Sequence, residues 1–333
     1  MVPRLRVVEI SSVGAPAAPF LPQLRALVVR SGFAESEHLA QAVLVNRDGQ
    51  VELAWGDPYA PHFPRSTVKP LLAVGMVRAG LQLRNKELAI VASSHNGEPE
   101  HVELVREILA GAGLSEADLA NTPALPGLTR ARDEWLAAGR GPQRISQNCS
   151  GKHAGMLLTA QALGAPTQGY TAWEHPVQRA GVAAIRDLTG DPCQTHGIDG
   201  CGAPVVALSL VGLARAFSRL VQASAGSPEH DVASAMSAHP FYVGGSERDV
   251  TVFMDAVPGA IAKDGAEGVH ALALPDGRAL ALKVRDGADR ARPAFVAAIL
   301  AELGMDKVAA ALPVEPVLGG GLPVGHIEVE VPK

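Results

Sequence analysis

The sequence has little cysteine, no long apolar run and no excess of charge of one sign. Its three cysteines, an odd number in 333 residues, argue against a disulfide framework and for reduced thiols. The longest strongly apolar stretch, 203–214, is too short for the ~20 residues that a membrane helix needs. The net charge of −5 is spread along the chain, without the basic patch of a nucleic-acid-binding protein. We therefore expect no nucleic-acid or membrane partner.

The N-terminal segment lacks the order of residues that is typical of a secretory signal. Arg4, Arg6 and Glu9 lie close together, and no unbroken apolar core follows them. A cytoplasmic location is therefore expected. The composition, 47% hydrophobic and 19% charged, is typical of a globular protein.

Strands are predicted near both ends of the chain. Two apolar runs flank Asp48-Gly49 within 41–55, which predicts a hairpin. Three short alternating runs within 260–284 predict further antiparallel strands, followed by a helix over about 288–303.

Helical patterns fill most of the middle of the chain. The segment 66–81 has helical periodicity, with Ser66 as a plausible N-cap. The apolar run 87–94 predicts a buried strand that ends at Ser94. Helices are also predicted near 99–110, 151–163, 175–189, 203–223 and 229–238.

Strands at both ends with helices between them predict a mixed α/β (α+β) fold. One antiparallel sheet would be formed by the N- and C-terminal segments, next to a largely helical middle region. No internal repeat or clear linker is present, so we expect a single domain over 1–333. Its sheet subdomain would comprise about 1–65 and 255–333, and its helical subdomain about 66–254.

Ser66 and Lys69 are three residues apart at the start of a predicted helix, which places both side chains on one face. A lysine there can act as the base for the serine, because the helix N-terminus disfavours the ammonium. The S-x-x-K pattern is common, however. An N-cap serine followed by a solvated lysine is the alternative interpretation.

Two further segments carry candidate catalytic residues. Ser94, His95 and Asn96 lie in a polar loop of the kind that often carries function. Lys263 ends a predicted strand and is followed by small residues, so a substrate could lie against that strand. The alternatives are a simple turn at Asn96-Gly97 and a lysine that only protects a strand edge. With the S-x-x-K pair, these sites favour a serine hydrolase.

Cys149, Lys152 and Cys201 form a separate candidate cluster. Cys149 directly precedes a predicted helix, and Cys201 lies in a glycine-rich turn. Two thiolates could bind zinc, and His153 or His196 could complete a conventional set, since structural zinc sites normally have four Cys or His ligands. The alternative is a pair of buried free cysteines.

Five motifs follow one another along the chain. They are PRSTVKP (64–70), ASSHNGEPEH (92–101), NCSGKHAGM (148–156), GIDGCGAP (197–204) and AKDGAEGV (262–269). Over roughly residues 40–305 they resemble the ordered motifs of the asparaginase II family typified by the Rhizobium etli enzymes. This family is distinct from the threonine-dependent bacterial asparaginases and from the self-cleaving plant type. Five motifs in order are far more specific than any one of them.

The resemblance implies a fold similar to serine β-lactamases and glutaminases, a homodimer, and hydrolysis of L-asparagine to L-aspartate and ammonia. By motif, it implies that Ser66 is the nucleophile with Lys69 as its base. Ser94 and Lys263 would form a second Ser-Lys pair.

The resemblance also implies a zinc ion near the active site. Its ligands would be Cys149, Lys152 and Cys201, with lysine binding as the neutral amine. The neighbouring Asp199 would contact this site or the substrate amine.

Arg65 is the candidate partner of the substrate carboxylate, and His95 and Asn96 are further candidate substrate-binding residues.

The chain departs from the family pattern at two positions. Asp264 replaces the threonine of the K-T-G-A-E-G motif, which places a carboxylate next to the strand lysine, and Val250 replaces a family cysteine.

Two other functions stay open from the sequence. One is a serine amidase or penicillin-recognising enzyme with the same fold. The other is a catalytically silent zinc or amino-acid sensor, which the retention of both Ser-Lys pairs disfavours.

Overall fold

The computed structural model describes residues 20–333. The N-terminal segment in which we expect no secretory signal lies outside the described residues. Within 20–333, no helix combines the length and the apolar character needed to cross a membrane.

Strands from both ends of the chain form one antiparallel sheet. Its eight strands are β1 (Leu24–Arg30), β2 (Phe33–Val45), β3 (Val51–Trp55), β6 (Ile261–Gly265), β7 (Val269–Ala273), β8 (Ala279–Val284), β9 (Val317–Gly319) and β10 (Leu322–Glu330), while β4 (His196–Ile198) and β5 (Pro204–Val206) form a separate hairpin. The order is β6-β7-β8-β2-β1-β10-β9, and β3 pairs with β2. All five residues of β7 are buried, which explains its nearly continuous apolar sequence.

Within residues 20–333, ten of the twelve helices lie between β3 and β6 in the sequence. The helices are α1 (Lys69–Arg78), α2 (Asn85–Val91), α3 (Pro99–Gly111), α4 (Thr129–Ala137), α5 (Ser150–Ala162), α6 (Pro176–Thr189), α7 (Leu210–Val221), α8 (Pro228–Ala238), α9 (Pro240–Val243), α10 (Asp249–Ala256), α11 (Arg292–Glu302) and α12 (Asp306–Ala311). Helix α7 packs against β2, β7 and β8, and α11 packs against β1, β8 and β10. The predicted mixed fold, an antiparallel sheet of terminal segments with a helical middle region, is confirmed.

The predicted hairpin around Asp48-Gly49 is confirmed, since β2 and β3 pair antiparallel up to Val45 and Val51. Gly49 has a φ of +74°, in the left-handed region that glycine adopts without strain. The three C-terminal strands are also confirmed by the pairing of β6, β7 and β8.

The strand predicted over 87–94 is wrong, because these residues belong mainly to helix α2. A short apolar run looks the same in a buried strand and in a buried helix. Residues Leu88 to Val91 are fully buried, and α2 packs against α5 and α8. Ser94 therefore lies between two helices, α2 and α3.

Two predicted helix boundaries are also wrong. Ser66 is not an N-cap, because it lies inside a short 3-10 helix, Arg65–Val68, and α1 begins only at Lys69. The helix predicted over 203–223 begins at Leu210, because strand β5 occupies its first residues. Its true N-cap is Ser209, whose hydroxyl accepts the Gly212 N–H at 2.9 Å.

Candidate active site

Ser66 is presented on the 3-10 helix that leads into α1. It is half-buried, whereas Lys69 one turn later is buried. The end of β6 packs against this turn so closely that a Cβ on Gly265 would lie 2.8 Å from the Pro64 carbonyl oxygen and 3.2 Å from the Ser66 nitrogen. Only a residue without a side chain fits there. The sheet edge and the Ser66 turn therefore form one wall of the site.

The Lys69 amine points toward the loop that follows α2. Lys69 Nζ lies 3.0 Å from Ser94 Oγ, 2.5 Å from the Ser93 carbonyl oxygen and 3.4 Å from the Asn148 carbonyl oxygen. Within the described residues, no hydrogen bond joins it to Ser66 Oγ. The structure thus brings the lysine of the S-x-x-K motif to the loop serine.

Lys263 is fully buried on β6 and contacts its own neighbour. Its Nζ donates to Asp264 Oδ1 and to the Asp264 carbonyl oxygen, both at 2.7 Å, and not to Ser94. Burial lowers the pKa of Lys263 to about 8, although Asp264 opposes that shift. Burial also opposes ionisation of Asp264, but Arg248 and Lys263 outweigh it and hold the pKa of this carboxyl well below its usual range.

Arg65 and Asp199, predicted to bind the two charges of the substrate, form an ion pair with each other. Arg65 Nε lies 2.7 Å from Asp199 Oδ1, and both side chains are partly exposed. Burial opposes ionisation of Asp199, but Arg65 and Lys152 outweigh it and lower its pKa. Arg65 has a φ of +53°, a conformation that non-glycine residues adopt at a cost and that is frequent at functional sites.

The His95 ring is engaged on both sides by the protein. Its Nδ1 accepts the Gly97 N–H at 3.1 Å, so Nε2 carries the hydrogen and donates to Ser150 Oγ at 2.9 Å. Burial lowers the pKa of His95 well below its usual range, and the ring is therefore neutral. In this structure His95 fixes the loop to α5.

The Asn96 side chain is engaged in the same way. Its Nδ2 donates to the Ser246 carbonyl oxygen at 2.8 Å, and its Oδ1 accepts from Arg248 Nη1 at 3.3 Å. Its backbone carbonyl accepts the Gly127 N–H at 2.7 Å. Asn96 thus connects the Ser94 loop to the segment before α10.

The structure brings together Cys149, Lys152 and Cys201, all of which are buried. Lys152 Nζ lies 3.1 Å from Cys201 Sγ, and the Cys149 thiol donates to Asn148 Oδ1 at 3.2 Å. The neighbouring Cys201 thiol, together with Lys69 and Lys152, lowers the pKa of Cys149 well below its usual range despite burial. Asp199 Oδ2 lies 3.9 Å from Cys201 Sγ. The cluster therefore adjoins both the Lys69 amine and the carboxylate that pairs with Arg65.

The donor set of this cluster fits a zinc ion, with lysine as the third ligand. Within 20–333, no three His, Cys, Asp or Glu side chains are grouped to hold a metal, so Lys152 is essential to such a site. The histidines considered from sequence lie elsewhere. His153 Nδ1 is 2.7 Å from the Tyr170 hydroxyl, and the exposed His196 stacks on Trp173 with ring centroids 4.2 Å apart. Thiolate sulfur and nitrogen are the donor atoms that zinc most often takes in proteins.

Several groups of the site were missed from the sequence. The carbonyls of Ser93 and Asn148 contact Lys69, but a backbone carbonyl leaves no signal in residue type. Arg248 contacts both Asn96 and Asp264, yet it lies outside every motif. An arginine three residues after a glycine pair carries no signal of that role.

The chain is distantly similar to several solved structures. One is a β-lactamase from Mycobacterium bovis (18% identity, TM-score 0.42, covering 79% of this chain and 94% of the other). Another is Mglu in its native form (14% identity, TM-score 0.43, covering 79% of this chain and 63% of the other). EstCE1, a hydrolase with promiscuous acyltransferase activity, is a third (11% identity, TM-score 0.36, 88% of this chain and 93% of the other).

No curated protein gives a significant match to the sequence. The family model described as L-asparaginase II, in contrast, matches residues 26–329. That range contains all five motifs and every residue of the site described above. The chain therefore belongs to the L-asparaginase II family.

Proposed function

We propose that the protein is an L-asparaginase of the Rhizobium etli type, which hydrolyses L-asparagine to L-aspartate and ammonia through an acyl-enzyme on Ser66. The observation that carries this proposal is the buried Lys69 amine, 3.0 Å from Ser94 Oγ, on a lysine three residues after the partly exposed Ser66. Such an arrangement is able to move a proton from a nucleophile to a leaving amine. Membership of the family supplies the amide substrate.

Exposure favours Ser66 over Ser94 as the nucleophile. Ser94 is only 3% exposed, whereas Ser66 is half-buried and open to a ligand. Within residues 20–333 the Ser66 backbone N–H has no hydrogen-bond partner, and its nitrogen lies next to Gly265 at the end of β6. A backbone N–H at the nucleophile can stabilise the oxyanion that forms when the serine attacks the amide carbonyl.

Lys69 is suited to take the proton of Ser66. As a neutral amine it can donate to the Ser93 and Asn148 carbonyls and keep its lone pair for a hydroxyl. Catalytic hydrogen bonds are often long before substrate binds, so the missing Ser66 contact does not argue against this role.

The proton then has a path to the leaving group. The Ser66 oxygen forms a bond to the amide carbon, and the C–N bond breaks as Ser94 gives its proton to the departing nitrogen. Ser94 is reprotonated by Lys69. Water then attacks the acyl carbon and gives a proton to Lys69. As the bond between the acyl carbon and the Ser66 oxygen breaks, L-aspartate is released and Lys69 passes that proton to Ser66.

Arg65 and Asp199 are proposed to recognise the α-amino acid. Their ion pair presents one cation and one anion at the same partly exposed place. The substrate carboxylate can replace Asp199 at Arg65, and the substrate ammonium can replace Arg65 at Asp199. An amide that lacks either charge would leave one partner unpaired, which is unfavourable in a partly buried site.

Zinc is proposed as a cofactor held by Cys149, Lys152 and Cys201. When bound, it would supply a Lewis acid and a fixed positive charge beside the substrate site. Asp199 would connect the metal site to Arg65, since it lies near the Cys201 sulfur. The homodimer and the cytoplasmic location stay predictions.

Ammonia release and acyl-enzyme trapping test the proposal together. We expect Ser66→Ala to lower kcat with L-asparagine by at least about a thousandfold, because the nucleophile is lost. Rapid acid quenching of the parent should give one aspartyl adduct, on the peptide that contains Ser66. The matched control is Ser224→Ala, at an exposed serine far along the chain. Its kcat with L-asparagine should equal that of the parent.

Three outcomes would contradict the proposal. Activity of Ser66→Ala within about tenfold of the parent, a loss of only ~1.4 kcal/mol, would exclude this nucleophile. Turnover of a β-lactam without turnover of asparagine would indicate the penicillin-recognising enzyme. Binding of asparagine by calorimetry, with no ammonia released, would indicate the sensor.

A further inference from the structure

A chain of polar contacts joins the Ser94 loop to strand β6. Arg248 donates through Nη1 to Asn96 Oδ1 at 3.3 Å and through Nη2 to Asp264 Oδ2. The other oxygen of Asp264 accepts from Lys263 Nζ at 2.7 Å. The side chains become more buried along this chain, from 28% exposed at Arg248 to 10% at Asp264 and 0% at Lys263. Arg248 therefore fixes which carboxylate oxygen is left for the lysine.

The segment that carries Arg248 is itself held against the Ser94 loop. Gly245 has a φ of +103°, and a Cβ there would lie 2.6 Å from Glu98 Oε1 and 2.7 Å from Asn96 Nδ2. The Ser246 N–H and hydroxyl each donate to the Glu98 carboxylate at 2.8 Å. Arg248 thus projects from a backbone that has little freedom to shift.

Titratable and charged groups from several elements surround the Lys263 and Asp264 pair. They are Lys69 on α1, Arg248 and Asp249 at the start of α10, His270 on β7 and Arg292 on α11. Asp249 is neutralised by its ion pair with Arg292. Burial lowers the pKa of His270 to about 4, so its ring is neutral. Asp264 is therefore the carboxylate that compensates the buried Lys263 ammonium.

Lys263 lies close to the reaction centre. It is two residues before Gly265, whose Cα abuts the Ser66 turn. A buried lysine without a neighbouring anion would give up its proton. If the anion is mobile, the lysine ammonium would move with it. Both outcomes would remove a fixed positive charge from the wall of the site.

We propose that Arg248 and Asp264 are positioning residues: Asp264 keeps Lys263 as an ammonium, and Arg248 fixes the place of Asp264, so that the lysine charge is held beside the Ser66 turn and stabilises the anionic acylation transition state. This inference rests on the proposed asparaginase function. It assigns Arg248 a role that no sequence motif indicates, and it gives a purpose to the carboxylate at position 264.

Lysine ionisation can be measured without relying on activity. The chain has seven lysines: Lys69, Lys86, Lys152, Lys263, Lys283, Lys307 and Lys333. Lysine labelled with ¹³C and ¹⁵N gives one side-chain signal each in the full-length protein, and the Lys263→Met variant assigns the signal of interest. A pH titration of that signal then reports the pKa of Lys263 directly.

The proposal requires shifts of opposite sign in two variants. Arg248→Gln removes a neighbouring cation, so the pKa of Lys263 should rise from about 8 by about one unit. Asp264→Asn removes the anion, so the pKa should fall by at least about one unit. The basic limb of the kcat/KM profile, where activity is lost as the ammonium loses its proton, should move in the same directions.

Kinetics separate positioning from substrate binding. Both variants should lower kcat about tenfold or more with little change in KM. Arg248→Lys keeps the cation but cannot contact Asn96 and Asp264 together, so it should keep the parent titration and recover part of kcat. Arg285→Gln, the same charge change at an exposed arginine, should leave both readouts unchanged.

Two results would overturn the proposal. One is a shift of the Lys263 pKa in the same direction in Arg248→Gln and Asp264→Asn. The other is an unchanged Lys263 pKa in Arg248→Gln. If Asp264→Asn does not fold, the comparison of Arg248→Gln with Arg248→Lys decides alone. Opposite shifts in a protein that releases no ammonia would support the positioning network and reject the asparaginase function. The two proposals therefore fail separately.

Discussion

Replacing Gly265 by alanine should damage catalysis more than folding. The added Cβ would lie 2.8 Å from the Pro64 carbonyl oxygen, about 0.6 Å closer than the 3.4 Å at which ordinary contact begins. That oxygen cannot easily move, because it accepts the Thr67 N–H at 3.2 Å and the Thr67 hydroxyl at 2.7 Å. Strand β6 and the Ser66 turn must therefore separate.

The size of each effect follows from that displacement. An extra methyl group in a well-packed place costs typically about 1–3 kcal/mol of unfolding free energy. A shift of about 1 Å at a reacting group can cost about a hundredfold in rate. For a shift of about half that size, we expect kcat/KM for L-asparagine to fall about 10- to 100-fold.

Urea denaturation measures the unfolding free energy, and ammonia release measures kcat/KM. Gly111→Ala is the matched control, since nothing lies within 4 Å of its added Cβ at the end of α3. Its unfolding free energy should rise by up to about 1 kcal/mol, with unchanged activity. Gly265→Ala with parental kcat/KM would refute the claim that β6 and the Ser66 turn form one wall of the site.

Three further predictions concern other parts of the site. Lys69→Met should abolish ammonia release, because base and nucleophile act as a unit, while circular dichroism stays unchanged. Asp199→Asn should raise KM for L-asparagine far more than for its analogue without the α-amino group; equal changes would reject the amine contact. Elemental analysis should find about one zinc per chain, lost in the Cys149→Ser/Cys201→Ser double variant and more weakly held as pH falls, because its ligands must lose protons. Full zinc retention in that variant would show that Cys149 and Cys201 are not the zinc ligands.

The sequence predicted the fold where local patterns determine the structure. Turn residues at Asp48-Gly49 and alternation within 260–284 are local signals, and both predicted the strands correctly. The run 87–94 carries no such signal, since a segment buried on all sides is apolar in either conformation. The long-range packing of α2 against α5 and α8 decides in favour of a helix there.

Motif order predicted which residues would meet, but not how they pair. Ser66, Lys69, Ser94 and Lys263 do converge from three separate segments. Spacing suggested that Lys69 would contact Ser66, since both lie on one helical turn. The true position of the amine is set by the Ser93 carbonyl, which becomes available only because α2 ends next to α1.

The departure at position 264 shows why a single motif residue cannot be interpreted alone. A carboxylate next to a buried lysine compensates the desolvation of its ammonium, but it also needs a second donor for its remaining oxygen, or a buried acceptor is left unsatisfied. Arg248 provides that donor from a segment 16 residues earlier. Asn96 then orients Arg248 from the far side of the site. Aspartate at 264 is thus compatible with the site only together with Arg248, and the two positions should be considered as one feature of this chain.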